Sequence, residues 1–148
     1  MADQASERIR IAAPAQRCYD IATDFERYPQ WARDVKRATI VARDDTGRAA
    51  QVAYRAAALG KSVEYTLEYD FADAPRSFSW HLVEGGMLLR RLDGSYRFQP
   101  DGEGATRVHY DLAVDLKAPL PRAIKHRAAA LIMGNALREL KRHIESTS

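Results

Sequence analysis

A chain of 148 residues carrying 23 Lys and Arg against 20 Asp and Glu, with a net charge of +3, can bury roughly 70% of its unfolded surface and needs no staples. The charge is interleaved, in short clusters such as Lys36-Arg37, Arg90-Arg91 and Lys141-Arg142, which excludes the concentrated basic face of a nucleic-acid binder. Its one cysteine, Cys18, excludes an internal disulfide, and its longest apolar run, AAALIM (128–133), falls far short of a membrane span. The opening MADQASERIR lacks the apolar core of a signal peptide. The expectation is one cytoplasmic domain over 1–148, with a core of about 6–145, as monomer or homodimer.

In chain order, residues 6–12 alternate, with Ile9 and Ile11 opposed to Arg8 and Arg10, which predicts a first strand. Pro14 suits the first position of a helix, where a missing N–H costs nothing. That helix is predicted to run to about Asp24, with Cys18 on its apolar stripe beside Ala15, Ala22 and Phe25, as a buried and inert thiol. FERYPQWARDV (25–35) then crowds Phe25, Tyr28, Pro29 and Trp31 together. Pro29 is expected to open a second short helix. Phe25 and Trp31 are expected to turn inward as a wedge, with Tyr28 at the rim of whatever the wedge closes.

From 35 to 116 the hydrophobic period is two, and turns recur at hairpin spacing: DDTG (44–47), LGK (59–61), DAPR (73–76), EGGM (84–87) and PDGEG (100–104). KSVEYTLEYDF (61–71) is the clearest strand. Val63, Tyr65, Leu67, Tyr69 and Phe71 share one side, and Ser62, Glu64, Thr66, Glu68 and Asp70 the other, giving a dry and a wet face. The split recurs with Tyr54 and Ala56 in 49–58, and with Phe78, Trp80 and Leu82 in 76–83. It continues with Leu88, Arg90, Leu92, Gly94, Tyr96 and Phe98 in 88–98, then Val108, Tyr110, Leu112, Val114 and Leu116 in 105–116. Pro119 and Pro121 lead into a final helix, about 119–145, whose stripe is His126, Ala130, Met133, Leu137, Leu140 and Ile144. A one-sided sheet must be covered, and this helix is the only element long enough. The predicted class is α+β: a curved antiparallel sheet of about seven strands, two short helices after the first strand, and a long C-terminal helix across the dry face.

YDIATDFERYPQWARDVKRATIV (19–41) and the ending ALRELKRHIE (136–145), in this order of elements, resemble the helix-grip fold of the SRPBCC superfamily. That superfamily includes START-like domains, the birch-pollen-allergen group, and polyketide cyclase/dehydrase-like and coenzyme-Q-binding proteins. The last two form the branch this chain looks most like. The resemblance implies a cavity between the sheet's dry face, the terminal helix and the helix bracket. It identifies a fold and not an activity, since the superfamily holds lipid carriers, cyclases, aromatases and proteins with no known ligand.

The alternation supplies the lining of such a cavity: Tyr54, Tyr65, Leu67, Tyr69, Trp80, Leu92, Tyr96 and Tyr110 from the strands, and Ala130 and Met133 from the helix. Apolar walls with phenol groups suit a flat or elongated hydrophobic ligand such as a lipid, quinone, polyketide or aromatic; the alternative is that these rings fill a solid core. Glu64, Glu68, Asp70, Asp111 and Asp115 are predicted on the wet face, as are His81 and His109. His126 and Arg90 are the only catalytic candidates on the dry side, and both join the candidate ligand-binding set. A phenol titrating near 10 is a poor acid–base group at neutrality. A non-enzymatic binder is therefore expected, with a polyketide cyclase, aromatase or dehydratase using the same cavity as the alternative. A third reading, a protein-interaction module, rests on Ile124 and Leu131 on the opposite helix face. No cofactor is expected, and no metal site, since the four histidines lack ligand spacing. GKS (60–62) is no phosphate loop, because Arg55 stands where such a loop needs glycine.

Overall fold

The computed structural model describes residues 3–58, 60–117 and 121–147. The elements run β1 (Asp3–Ile11), α1 (Ala15–Ala22), a 3-10 helix (Phe25–Gln30), β2 (Val35–Arg43), β3 (Ala49–Ala58), β4 (Lys61–Asp70), β5 (Ser77–Glu84), β6 (Leu89–Pro100), β7 (Thr106–Leu116) and α2 (Arg122–Ser146). All seven strands form one antiparallel sheet ordered β1-β7-β6-β5-β4-β3-β2. β2 to β7 are a meander, and β1 returns to pair with β7. Leu59 of the predicted LGK turn, and Pro119, lie outside the described residues.

Several boundaries differ from the sequence reading. β1 starts at Asp3, because its partner β7 is long enough to pair from Thr106 to Val114. Pro14 caps α1 in an extended conformation and does not occupy its first turn. Pro29 lies inside the 3-10 helix, near its end, and does not open it. The missing N–H is tolerated because the turn closes around it: Trp31 and Ala32 N–H groups both reach the Tyr28 carbonyl, at 3.1 and 2.7 Å.

α2 buries a continuous face of Ala129, Met133, Leu137, Leu140 and Ile144 and packs most closely on β1 and β7. Its last turns are tied to the end of β1. The Ala12 N–H donates to Glu145 Oε2 at 2.8 Å, and Lys141 Nζ donates to the Arg10 carbonyl at 2.8 Å and to Glu145 at 2.6 Å. The Lys141 bond first, then the Ala12 N–H, hold the Glu145 carboxyl below its usual range. Beneath α1, the fully buried Thr106 donates to the Ala13 carbonyl at 2.7 Å. Cys18 is fully buried, and burial pushes its thiol up. No helix among the described residues is long and apolar enough to cross a membrane.

Candidate functional site

The strand register, more than any loop, builds the aromatic array on the inner face. Tyr54 of β3 stands opposite Tyr65 of β4, Tyr69 opposite Trp80 of β5, Phe78 opposite Tyr96 of β6, and Tyr96 opposite Tyr110 of β7. Cross-strand partners on one face are about 5 Å apart at Cβ, so the rings meet. Tyr54 and Tyr65 stack at 5.3 Å, Tyr69 and Trp80 lie at 6.0 Å, and Tyr96 and Tyr110 at 4.5 Å. The 3-10 helix adds two rings. Phe25 lies 4.2 Å from the Tyr69 ring, and Tyr28 lies 6.2 Å from Tyr54. Trp31, the other half of the expected wedge, is half-buried, meets Tyr28 edge-on at 5.0 Å and stacks on His143 at 5.9 Å.

The hydroxyls show how this interior is used. Tyr54 and Tyr69 share a hydrogen bond of 2.6 Å, and Tyr28 donates to the Ala22 carbonyl. The hydroxyls of Tyr65, Tyr96 and Tyr110 make no hydrogen bond among the described residues. Yet the only side-chain polar atom there that is both fully buried and unpartnered is Arg17 Nε. These three hydroxyls therefore border accessible space, although Tyr96 and Tyr110 are 6% and 7% exposed as residues. The Tyr54–Tyr69 bond uses one of that pair's two hydroxyl hydrogens. The array thus offers three hydrogens from Tyr65, Tyr96 and Tyr110 and one from the pair.

Burial raises the titration of Tyr28, Tyr54, Tyr65, Tyr69, Tyr96 and Tyr110, and for all but Tyr65 neighbouring phenols add to the rise. Ring contacts and the Tyr54–Tyr69 bond link all six, through Trp80, into one array. Each folded-state value lies above the unfolded value near 10, so the stability these groups contribute is complete below about pH 10 and is lost as pH rises through the folded values. Native protein is expected to show almost no tyrosinate absorbance at pH ~10, where free tyrosine is half ionised, and the band is expected to appear together with unfolding. A smooth rise at pH ~10 with native circular dichroism would place the phenols in water.

Leu67, Trp80 and Leu92 are buried, Met133 is fully buried and Ala130 half-buried. Two candidates fall outside the array. A bulge between Leu89 and Arg91 of β6 shifts the alternation by one. Leu89 goes inward, and the Arg90 side chain is 61% exposed, 3.4 Å from Asp115 Oδ2. Asp115, predicted on the wet face, is in fact buried at 5% exposure. His126 is exposed, as are Arg122, Ile124 and Arg127 around it, and among the described residues of α2 burial begins at Ala129. Phe25 is buried, as expected of an inward wedge, Tyr28 is half-buried, and Leu89 takes the buried place that plain alternation gives to Arg90. The aromatic spacing in FERYPQW carried a signal for Phe25, whereas Leu89 depends on the bulge. Among the described residues no group of three or more His, Cys, Asp or Glu could hold a metal ion.

The fold is shared with solved structures. A START superfamily protein from Mycobacterium smegmatis superposes with a TM-score of 0.93 at 25% identity, over 98% of this chain and 99% of that one. An aromatase/cyclase, Zhui from Streptomyces sp. R1128, superposes at 0.84 with 13% identity, over 98% and 94%, a likeness of fold alone. A comparison with curated proteins gave no match. The family model described as polyketide cyclase / dehydrase and lipid transport matches residues 3–145, nearly the whole sheet-and-helix unit that carries the phenol array, and the chain belongs to that family.

Proposed function

We propose that the protein binds an uncharged hydrophobic small molecule bearing hydrogen-bond acceptors, of the lipid, quinone, polyketide or aromatic class, between the sheet and α2. The observation that carries this reading is that the hydroxyls of the half-buried Tyr65 and the buried Tyr96 and Tyr110 make no hydrogen bond among the described residues, on an otherwise apolar inner face. Unmet polar groups in such a place are costly unless water or a ligand meets them. The lining is Tyr54, Tyr65, Tyr69, Trp80, Tyr96 and Tyr110, with Leu67, Leu92, Ala130 and Met133 as apolar wall. Its phenols stay neutral and no cationic side chain among the described residues joins them, so carbonyl and ether oxygens fit better than carboxylates. Burying ~300 Å² of ligand gives a gross ~7 kcal/mol, which leaves roughly micromolar affinity after association costs.

A cyclase or dehydratase reading draws on the same hydroxyls, which can polarise a carbonyl. It lacks a group in the array suited to moving protons near neutrality, and a carrier or sensor is favoured. The test is mass spectrometry of small molecules released from the purified protein, followed by titration with the compound found. Tyr65→Phe and Tyr96→Phe are each expected to weaken binding about 5-fold, the worth of one hydrogen bond, while Arg90→Ala and His126→Ala leave it unchanged. Failure of every hydrophobic compound to raise the melting temperature would end the proposal.

A further inference from the structure

At the corner where β2, β3 and β4 meet there is a cleft of about 660 Å³, lined by Lys36, Arg37, Arg55, Lys61 and Ser62 over a floor that includes Ala57. Arg55 alternates with Tyr54 along β3, so it points away from the phenols, and this site does not depend on the ligand proposed above.

Three features set the cleft apart from ordinary surface charge. First, Arg37 and Arg55 are cross-strand partners, and like charges directly opposite one another destabilise a sheet. Second, β2 is bulged between Val35 and Arg37, and a bulge re-aims side chains; the adjacent Lys36 and Arg37 both line the cleft. Third, Arg55 Nε donates to Ser62 Oγ at 3.0 Å, which holds the guanidinium while its two terminal nitrogens make no hydrogen bond among the described residues. Lys61 likewise has no ion-pair partner among them, and Lys36 Nζ reaches only the Arg33 carbonyl, at 3.0 Å. The carboxylate at hand is Glu64, the cross-strand partner of Arg55 on β4, whose 71% exposed side chain stands 3.9 Å from Arg37 Nη2. One acid meets the four cations of the cleft through a described contact, so excess positive charge remains.

We propose that this cleft binds a phosphate monoester or diphosphate group, gripped by the Arg37 and Arg55 forks and flanked by Lys36 and Lys61. Guanidinium planes match phosphate oxygens in pairs, and a bound dianion converts the Arg37–Arg55 repulsion into attraction. The group can sit on a soluble compound or on a lipid headgroup, since both present the same oxygens.

Inorganic pyrophosphate titrated by calorimetry tests the soluble source. Co-sedimentation with phosphatidylcholine vesicles, with and without phosphatidic acid, tests the headgroup. At least one probe is expected to bind wild type, and Arg37→Gln/Arg55→Gln is expected to weaken that binding at least 10-fold. Lys36→Gln/Lys61→Gln, which touches neither arginine, is expected to weaken it several-fold. Arg8→Gln/Arg97→Gln, exposed cations elsewhere on the same face, is expected to bind like wild type. Without anion, the double arginine variant is expected to melt close to wild type, because the like-charge contact it removes offsets the exposed Arg37–Glu64 approach and the Arg55–Ser62 bond lost with it, so lost binding is not lost folding. Binding of neither probe, or an equal loss in the cleft and control variants, overturns the proposal.

Discussion

Phe25→Ala is expected to lower the unfolding free energy by ~3–5 kcal/mol, the range for removing a buried phenyl ring. Phe25 is 1% exposed. Its ring meets Tyr69 at 4.2 Å, Tyr28 at 5.6 Å, Phe78 at 6.0 Å and Phe71 at 6.4 Å, so one side chain from a short helix locks strands β4 and β5 to the helix bracket. Its neighbours are themselves large rings held in register by the sheet and cannot collapse into the space. The loss should therefore sit at the upper end of that range. Urea unfolding should show a lower midpoint with an unchanged slope. A loss within ~0.5 kcal/mol, as for a surface substitution, would mean that the bracket is not wedged into the sheet. Trp31→Ala, at a half-buried position, is expected to cost much less.

Gly94→Ala is expected to destabilise by ~1–3 kcal/mol or more, for want of space and not of backbone freedom. A methyl group at Gly94 would stand 2.6 Å from the Asp111 carbonyl oxygen and 2.6 Å from Trp80 Cζ2. The first of these is sheet backbone and cannot swing aside. Gly94 is the gap across which the Trp80 indole lies, edge-on to Tyr110 at 5.7 Å, so the substitution should also displace the indole and change its fluorescence in a Trp31→Phe background. Gly102 is the contrast. It has φ +79° with nothing within 4 Å of an added methyl, so Gly102→Ala should cost backbone strain alone and leave Trp80 emission unmoved. Equal melting of Gly94→Ala and wild type would show that the indole does not occupy this gap.

The meander and its dry face were legible because period-two alternation needs only the order of residues. Tyr65, Trp80, Tyr96 and Tyr110 fall on the face that a plain count assigns. Arg90 shows where counting fails. One inserted residue at the Leu89–Arg91 bulge reverses the parity of everything before it in β6, and nothing in LLRRL marks where the insertion lies. Asp115 fails differently: parity places it on the outer face, but burial depends on what covers that face, which neighbours distant in sequence decide. His126 lies on the stripe of α2 in helical phase, yet phase cannot say how far along a helix its cover extends. The basic cleft was invisible for a related reason. Lys36-Arg37 reads as a short solvated pair until the register sets Arg55 opposite Arg37.

The pairing of β1 with β7 joins Ile11 to Thr106 and Asp3 to Val114, contacts 95 and 111 residues apart in the chain. While a ribosome is still extending the chain, the hairpins from β2 to β6 can form from local segments, but β1 has no edge to join until β7 has emerged. Such long-separation closure is slow, so the newly made chain passes through an interval in which β1 and the oily side of the meander are both uncovered. That interval is when exposed apolar surface and an unpaired edge leave the chain most prone to aggregate.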